Sequence, residues 1–560
     1  LTASDARPYF FWFVPRRNPG RLEISRGDIM VIATTVLVVG AGPAGLLTAA
    51  ELQRRGVQCL LIDAHERPLE WDRATVVHPR SLEIFDSLGI VEPLLAAGVK
   101  QRGARIHADG KVLGEIDLDL CGSRYPYNIG ISEEVTESIL ADYLSSHGGA
   151  VQRASKLVDL QERPDGMLAR IEQPGGAIEV LAEWVIGCDG HHSTVRELTG
   201  IEQDGHDISQ PWAVFDAAIS GWPEIFEANY AYLDRIPVIL TALPGQRWRV
   251  YLRPTAEDSD LVADALSTLR RYLPEANFED VAHPARFRCY TKVARQFRAG
   301  RILLAGDAAH TCSPAQGHGM NSGLHDAVNL AWKLALVCGG QCSDSLLDSY
   351  QAERRPAAQR VLASGDEAES AQLATDPDVL RERNAAIRKA FEDGASQHHE
   401  AVAEAELDID YRDSPIVMGD RHDPVSPGQR LPDQIPIRLA AGGAGMLHES
   451  AHRKGHTVFI LGGPRTSADA LAQVRAAIEP LSDGAIIEAV VALTANVDVD
   501  GVDGYVDPSV AGRLGVRHIL VLAVRADGHV GLRSEESHLE TLGAYLARLR
   551  APAPGTAAPS

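Results

Sequence analysis

Apolar positions in the first sixty-odd residues change period twice. The run Val36-Leu37-Val38-Val39, between Thr34 and Gly40, is continuous and rich in β-branched residues, as suits a strand buried on both faces. From Pro43 to Arg55 the positions Leu46, Leu47, Ala50 and Leu52 return at helical spacing, and Gln58 to Asp63 is a second apolar run. The order predicts a βαβ unit. Strands then alternate with helical stretches to about residue 365, where Leu346 to Arg360 reads as a long amphipathic helix. A charged, Ala-rich stretch to about Ile409 reads as a helical connector, and Pro415, Pro424, Pro427 and Pro432 mark a boundary. Beyond it, strands are expected at Thr457 to Leu461, Ile487 to Leu493 and His518 to Val524, forming a separate α/β domain. The Pro/Ala tail after Ala551 is expected to be disordered. Residues 1–29, with Tyr9-Phe10-Phe11-Trp12-Phe13 beside Arg16-Arg17, match no element, and their apolar run is short for a signal peptide. We read them as appended or upstream sequence outside the fold, with Met30 as the natural start.

Totals narrow the classes. A chain of 560 residues calls for two to four domains. No run of about 18 uncharged apolar residues offers a transmembrane span. A net charge of -22 disfavours nucleic acid as partner. The seven cysteines are scattered and odd in number, with none after Cys342, which points to a reducing cytoplasm. Cys338 and Cys342 are too widely spaced for a redox CxxC or a zinc knuckle, and His398-His399-Glu400 lacks ligand spacing, so no metal is predicted.

Three segments carry candidate chemistry. Gly40-Ala41-Gly42-Pro43-Ala44-Gly45 fits GxGxxG between a strand and a helix: Gly40 for the tight turn, Gly42 for approach of a pyrophosphate, Gly45 for close helix–strand packing. Asp63, at the end of the next strand, is placed to accept from ribose hydroxyls. This makes the opening a Rossmann-type nucleotide binder. The second segment is the apolar strand Leu303-Leu304-Ala305 ending in Gly306-Asp307. A turn through Pro314, Gly317, His318, Gly319, Met320 and Asn321 follows, and then a helix with Leu324, Val328, Ala331, Trp332 and Ala335 spaced for burial. The third is Val185-Ile186-Gly187-Cys188-Asp189-Gly190, running on to Arg196.

Taken together, in chain order, the segments resemble the GxGxxG, DG and GD motifs of the group A FAD-dependent aromatic monooxygenases. The likeness extends from Val36 to about Arg533. It implies an α/β fold with a Rossmann-like FAD-binding domain (30–105, 130–205 and 286–365) and an inserted mixed-sheet substrate domain (106–129 and 206–285). A connector (366–423), a thioredoxin-like domain (424–550) without redox cysteines and a tail (551–560) complete it. By the same resemblance Asp307 meets the FAD ribitol, Pro314 and Gly317 lie at the isoalloxazine turn, and backbone amides of Gly319 to Asn321 meet the pyrimidine. Asp189 and Gly190 lie on the pyrophosphate side, and Arg73 touches FAD. Glu133 stands where the family usually has Gln, which puts an acid at that contact.

The implied reaction is hydroxylation of a phenolic or polyketide-like aromatic with O2 and NADPH or NADH through a flavin C4a-hydroperoxide. With a single Rossmann fingerprint present, the nicotinamide is expected to dock transiently. Arg249 and Tyr251 share one strand face and resemble the substrate-side pair of phenol hydroxylase. Thr75 falls where that enzyme has a catalytic aspartate, so a larger aromatic than phenol is the expected substrate. His310 and His318 are read as packing or solvent-contacting residues rather than bases, and a homodimer is an expected assembly. A flavin oxidase or dehydrogenase without oxygen insertion, or a flavoprotein that sequesters an aromatic ligand, remains open on these motifs.

Overall fold

In the computed structural model, residues 22–26, 29–68, 74–222, 227–451 and 454–551 are described. The first unit is built on parallel strands in the spatial order Ile302–Leu304, Gly176–Gly187, Ile29–Val39, Cys59–Ile62, Val151–Gln152. Val36, Leu37 and Val38 are fully buried in one large core. Gly187 pairs with Val39 on one side and with Leu304 on the other, so three strands end level with one another. Each runs directly into one of the three motif turns. The sheet edge beyond the carboxyl ends of parallel strands is where an open α/β fold presents a crevice.

Two helices close the back of that crevice. Pro43–Arg54 and His318–Cys338 pack against each other, and their buried residues belong to one large core with the sheet. A Cβ at Gly45 would sit 1.9 Å from the Gly40 carbonyl oxygen, so the first helix can lie this close only with glycine there.

The second unit is a seven-stranded sheet in the order Asn277–Phe287, Trp212–Ser220, Arg247–Leu252, Val238–Leu243, Ala228–Tyr232, Gly103–Ala108, Lys111–Asp117. One face, with Phe215, Trp248 and Val250, packs beneath the helix Leu261–Leu269. The other, with Trp212, Val214, Tyr251 and Phe287, turns toward the first unit.

The C-terminal unit has eight strands centred on His456–Gly462, Ile487–Thr494, Ile519–Val524 and Val530–Ser534, flanked by the helices Ala468–Ile478 and His538–Arg550. It shares a core with the first unit, since Trp332, Leu336 and Leu346 pack with Val458, Ile460 and Leu532.

One expectation needs correcting. Leu22–Arg26 is not outside the fold: it pairs antiparallel with Ile29–Val39, Leu22 opposite Ala33 and Arg26 opposite Ile29. The connector is packed against the second unit. Its helices Pro377–Ala390 and Gly394–Glu404 lie against Lys111–Asp117, and Phe391 fills the space a side chain at Gly114 would need. The remainder of residues 1–29 and the tail after Ala551 lie outside the described residues.

Candidate active site

The three motif turns touch one another. Gly40 has φ +99°, and a Cβ there would lie 2.3 Å from the carbonyl oxygen of Cys188, so the first turn rests against the third motif. Gly306, at φ +60°, lies against Ala44, whose Cβ would be 3.0 Å from a Gly306 Cβ. On the crevice side the packing opens: among the described residues, a Cβ at Gly42 would meet nothing nearer than Glu137 Oε1 at 3.8 Å. Gly42, Pro43 and Ala44 are half-buried, and the helix they begin has no side-chain cap on its first turn. Asp63 is buried; its Oδ2 accepts the Ala41 N–H and its Oδ1 the His65 N–H, both at 2.8 Å. Oδ1 also faces the His65 Nδ1 at 3.0 Å, while Oδ2 keeps a second lone pair for another donor.

Asp189 organises its own loop. Its carboxylate accepts the Ser193 hydroxyl at 2.5 Å and the Val195 N–H at 3.0 Å, while burial raises its pKa against those bonds. Gly190 follows at φ +78° with nothing within 4 Å of its Cβ position. Arg196, to which the sequence reading assigned no role, joins this loop to the Gly306 turn. It is buried and donates to the Ala308 carbonyl at 2.9 Å and the His191 carbonyl at 2.6 Å.

Asp307 is the exposed residue in a buried run from Ile302 to Thr311. Its neighbour is held from behind by Asp326, whose Oδ2 accepts the Gly306 N–H at 3.0 Å and pairs with His310 Nε2 at 2.7 Å. Asp326 Oδ1 accepts Arg354 Nε at 2.7 Å. Burial works to raise the Asp326 pKa, but His310 and Arg354 outweigh it and hold it at about 2. His310 is therefore a buried structural partner.

In the next turn Ser313 caps Pro314–Gln316, and Gly317, at φ +73°, begins the helix His318–Cys338 without a side-chain cap. Pro314, Gly317, Gly319 and Met320 are half-buried. Asn321 is fully buried: it accepts the His78 N–H at 3.0 Å and donates to the carbonyls of Val76 at 2.9 Å and Gly317 at 3.0 Å, locking the helix start. His318 turns inward, stacks on His78 at 4.8 Å and pairs through Nδ1 with Glu406 Oε1 at 2.9 Å. His325 Nε2 lies 3.8 Å from the other Glu406 oxygen. Burial works against the His318 charge, yet Glu406 outweighs it and raises its pKa; Glu406, opposed by burial but faced by His325 and His318, is held at about 2. Glu406 was not anticipated, since a lone acid after a helical stretch gives no sign of pairing.

Opposite the turns, the seven-stranded sheet presents Trp212, Val214, Tyr251 and Phe287, clustered with Ile208 and Cys289 from the flanking chain, and Ala315 of the Pro314–Gln316 turn packs against them. The Tyr251 hydroxyl is 3.1 Å from Thr75 Oγ1, which brings the predicted strand face and the Thr75 position together. Arg249 is bound to Asp216, directly across the strand pair, by two hydrogen bonds of 2.7 and 2.9 Å. Its charge is thus balanced inside the sheet. Glu133 Oε2 accepts the Ala74 N–H at 3.3 Å, and it is Glu137, one turn on, that faces Gly42. Arg73 lies outside the described residues. Among the described residues no cluster of His, Cys, Asp and Glu is placed to hold a metal ion, and no helix is long and apolar enough to cross a membrane.

A parallel sheet with these three turns at one edge, opposed by an aromatic-lined sheet, defines a flavoprotein oxidoreductase. The chain belongs to the family described as FAD binding domain, which matches residues 33–364. It is 32% identical over 410 residues to 6-methylpretetramide 4-monooxygenase of Streptomyces rimosus, covering 69% of this chain and 71% of that enzyme. It is 29% identical over 525 residues to the 12-dehydrotetracycline 5-monooxygenase/anhydrotetracycline 6-monooxygenase of Streptomyces rimosus subsp. rimosus, covering 88% and 94% respectively. The solved structure of OxyS anhydrotetracycline hydroxylase from Streptomyces rimosus aligns with a TM-score of 0.73 at 27% identity, covering 93% of this chain and 100% of that one.

Proposed function

We propose that the protein hydroxylates a polycyclic phenolic substrate of the aromatic polyketide type, using FAD, O2 and NADH or NADPH. The observation that carries the reading is the convergence of three glycine-bearing turns on one sheet edge, facing an aromatic surface. The chemistry of the turns fits FAD. Room above Gly42 admits a pyrophosphate to the uncapped first turn of Pro43–Arg54, where N–H groups and the helix dipole favour anions. Asp63 has acceptor capacity for ribose hydroxyls, and exposed Asp307 for the ribitol chain. The second uncapped helix start, at Gly317 to Met320, would face the flavin pyrimidine, where its partial positive charge favours the reduced ring. Gly190 and the Asp189 loop would border the pyrophosphate.

When bound, FAD supplies acceptance of two electrons from the nicotinamide and transfer of one oxygen atom from O2 to an electron-rich ring. The chain's own share is placement, exclusion of water and handling of the substrate proton. Tyr251, Phe287 and Ile208 offer apolar walls for a flat ring system, backed by the fully buried Trp212. The Tyr251 hydroxyl, held by Thr75, can hydrogen-bond a substrate phenol at the wall nearest the turns. Arg249, bound to Asp216, stiffens that face.

The test is the visible spectrum of the purified protein, followed by NADH and NADPH oxidation with a panel of polycyclic phenols and mass analysis of the products. A flavin spectrum, substrate-stimulated oxidation and a product heavier by one oxygen are expected. A protein that cannot be loaded with FAD refutes the reading.

A further inference from the structure

Polar contacts from the substrate-facing sheet and from the flavin turn meet at a carboxylate outside all three motifs. Glu369, on the helix Asp348–Leu373, is 5% exposed. Its Oε1 accepts the Trp212 indole N–H at 3.0 Å and also the Ser313 hydroxyl; its Oε2 accepts the Arg253 guanidinium. That guanidinium stacks 4.3 Å over the Trp212 ring and donates to the Gln210 carbonyl at 2.6 Å. On the other side, Ser313 Oγ accepts the Ala315 N–H at 3.1 Å, which shapes the Pro314–Gln316 turn. The same helix meets the turn again where Ser364 donates to Gln316 Oε1 at 3.0 Å, and Gly365 leaves a Cβ position 3.6 Å from Ser313 Cβ.

Neutralising a buried arginine would need only the Arg253 contact. Here one carboxylate oxygen is shared between an indole that belongs to the aromatic face and a hydroxyl that caps the turn. A shift of the Trp212 ring therefore changes the acceptor available to Ser313.

We propose that Glu369 is a positioning residue that couples occupation of the aromatic face to the placement of the Pro314–Gln316 turn, and through that turn to the flavin. The inference rests on the reading that this turn borders the flavin. Trp212, fully buried behind that face, takes up the ring system's displacement through the residues packed on it, Glu369 carries the displacement, and Ser313 delivers it to the turn; Arg253 pairs with Glu369 between them. Because the shared oxygen is buried, water cannot substitute for either donor.

The experiment compares wild type, Ser313→Ala and Glu369→Gln, each loaded with FAD. Each is titrated with 1-naphthol, which absorbs outside the visible flavin bands, with binding followed by calorimetry and the flavin by difference spectroscopy. Ser313→Ala leaves the Glu369–Arg253 pair intact, so it remains informative where Glu369→Gln fails to fold. Both variants are expected to bind 1-naphthol nearly as wild type does, while the flavin spectral response per bound ligand falls by about fivefold, as loss of one buried hydrogen bond allows. A larger share of the NAD(P)H consumed should then appear as hydrogen peroxide. A flavin-loaded Ser313→Ala variant with the full wild-type response overturns the coupling and leaves the flavin site standing. A wild type that takes up no FAD overturns the reading of the site and the coupling with it.

Discussion

Glu353→Gln puts the attachment of the C-terminal unit to a quantitative test. Glu353 is fully buried and pairs with Lys333 at 2.7 Å and with Arg525 of the C-terminal unit at 2.7 and 2.8 Å; Asn329 at 2.7 Å and Ser414 at 2.6 Å complete its acceptors. Burial works to raise its pKa, but Arg525 and Lys333 outweigh it and hold it at about 2, so the carboxylate is charged throughout the working range. Glutamine keeps the shape and removes the charge, leaving two buried cations with Asp527 as the nearby anion. Removing one partner of a buried pair costs about 3–5 kcal/mol. For a large domain this lowers the melting temperature by about 10 °C.

Lysine chemistry adds a signature that simple loss of packing lacks. Burial already pushes Lys333 down to about 8 despite Glu353, and without that partner it falls further. A folded pKa below the unfolded value means that the unfolded chain binds more protons between the two, so stability rises with pH across that window. The window opens at lower pH in the variant. Calorimetric melting should therefore show a gap between wild type and variant that narrows from about pH 6 to about pH 9. A loss under about 1 kcal/mol, or a gap independent of pH, refutes the argument.

Gly42→Ala should fold with stability within about 1 kcal/mol of wild type, because its backbone is ordinary and its Cβ position open, yet bind FAD at least about tenfold more weakly; Gly45→Ala, whose Cβ would meet a carbonyl at 1.9 Å, should fail to fold. Titrating FAD into each apoprotein separates the two. The His318–Glu406 pair contributes stability that is complete below the ordinary histidine pKa of 6.5 and is lost as pH rises through the raised folded value. His78 and His325, both lowered mainly by burial, oppose folding as pH falls below that same value. Flavin retention against pH should thus pass through a maximum whose alkaline limb disappears in His318→Gln, whereas an unchanged alkaline limb would remove the pair from the account. Tyr251→Phe should lower kcat on a phenolic substrate by about tenfold to a hundredfold with flavin binding unchanged; an unchanged kcat would exclude Tyr251 from handling the substrate hydroxyl.

What could be read from the sequence alone was what short-range chemistry demands. A tight turn at Gly40, an uncapped helix start at Gly42 and an apolar strand ending in Gly306-Asp307 each need particular residue types within a few positions, and those types are visible in order. Binding of a flavin dinucleotide and the strands of the C-terminal unit follow from the same local periodicities. The carboxylates that join the units were not legible. Glu369 meets a partner 157 positions away, Glu353 one 172 away and Glu406 one 88 away, and in a one-dimensional pattern each looks like the solvated side of a helix or a polar loop position. The strand at Leu22–Arg26 escaped for the same reason, since its pairing partner is an edge supplied from elsewhere. A turn is dictated by the backbone geometry of its own residues and so is written locally. The burial of a charge is decided by whichever distant groups the tertiary packing brings within 3 Å of it, and only the folded structure names them.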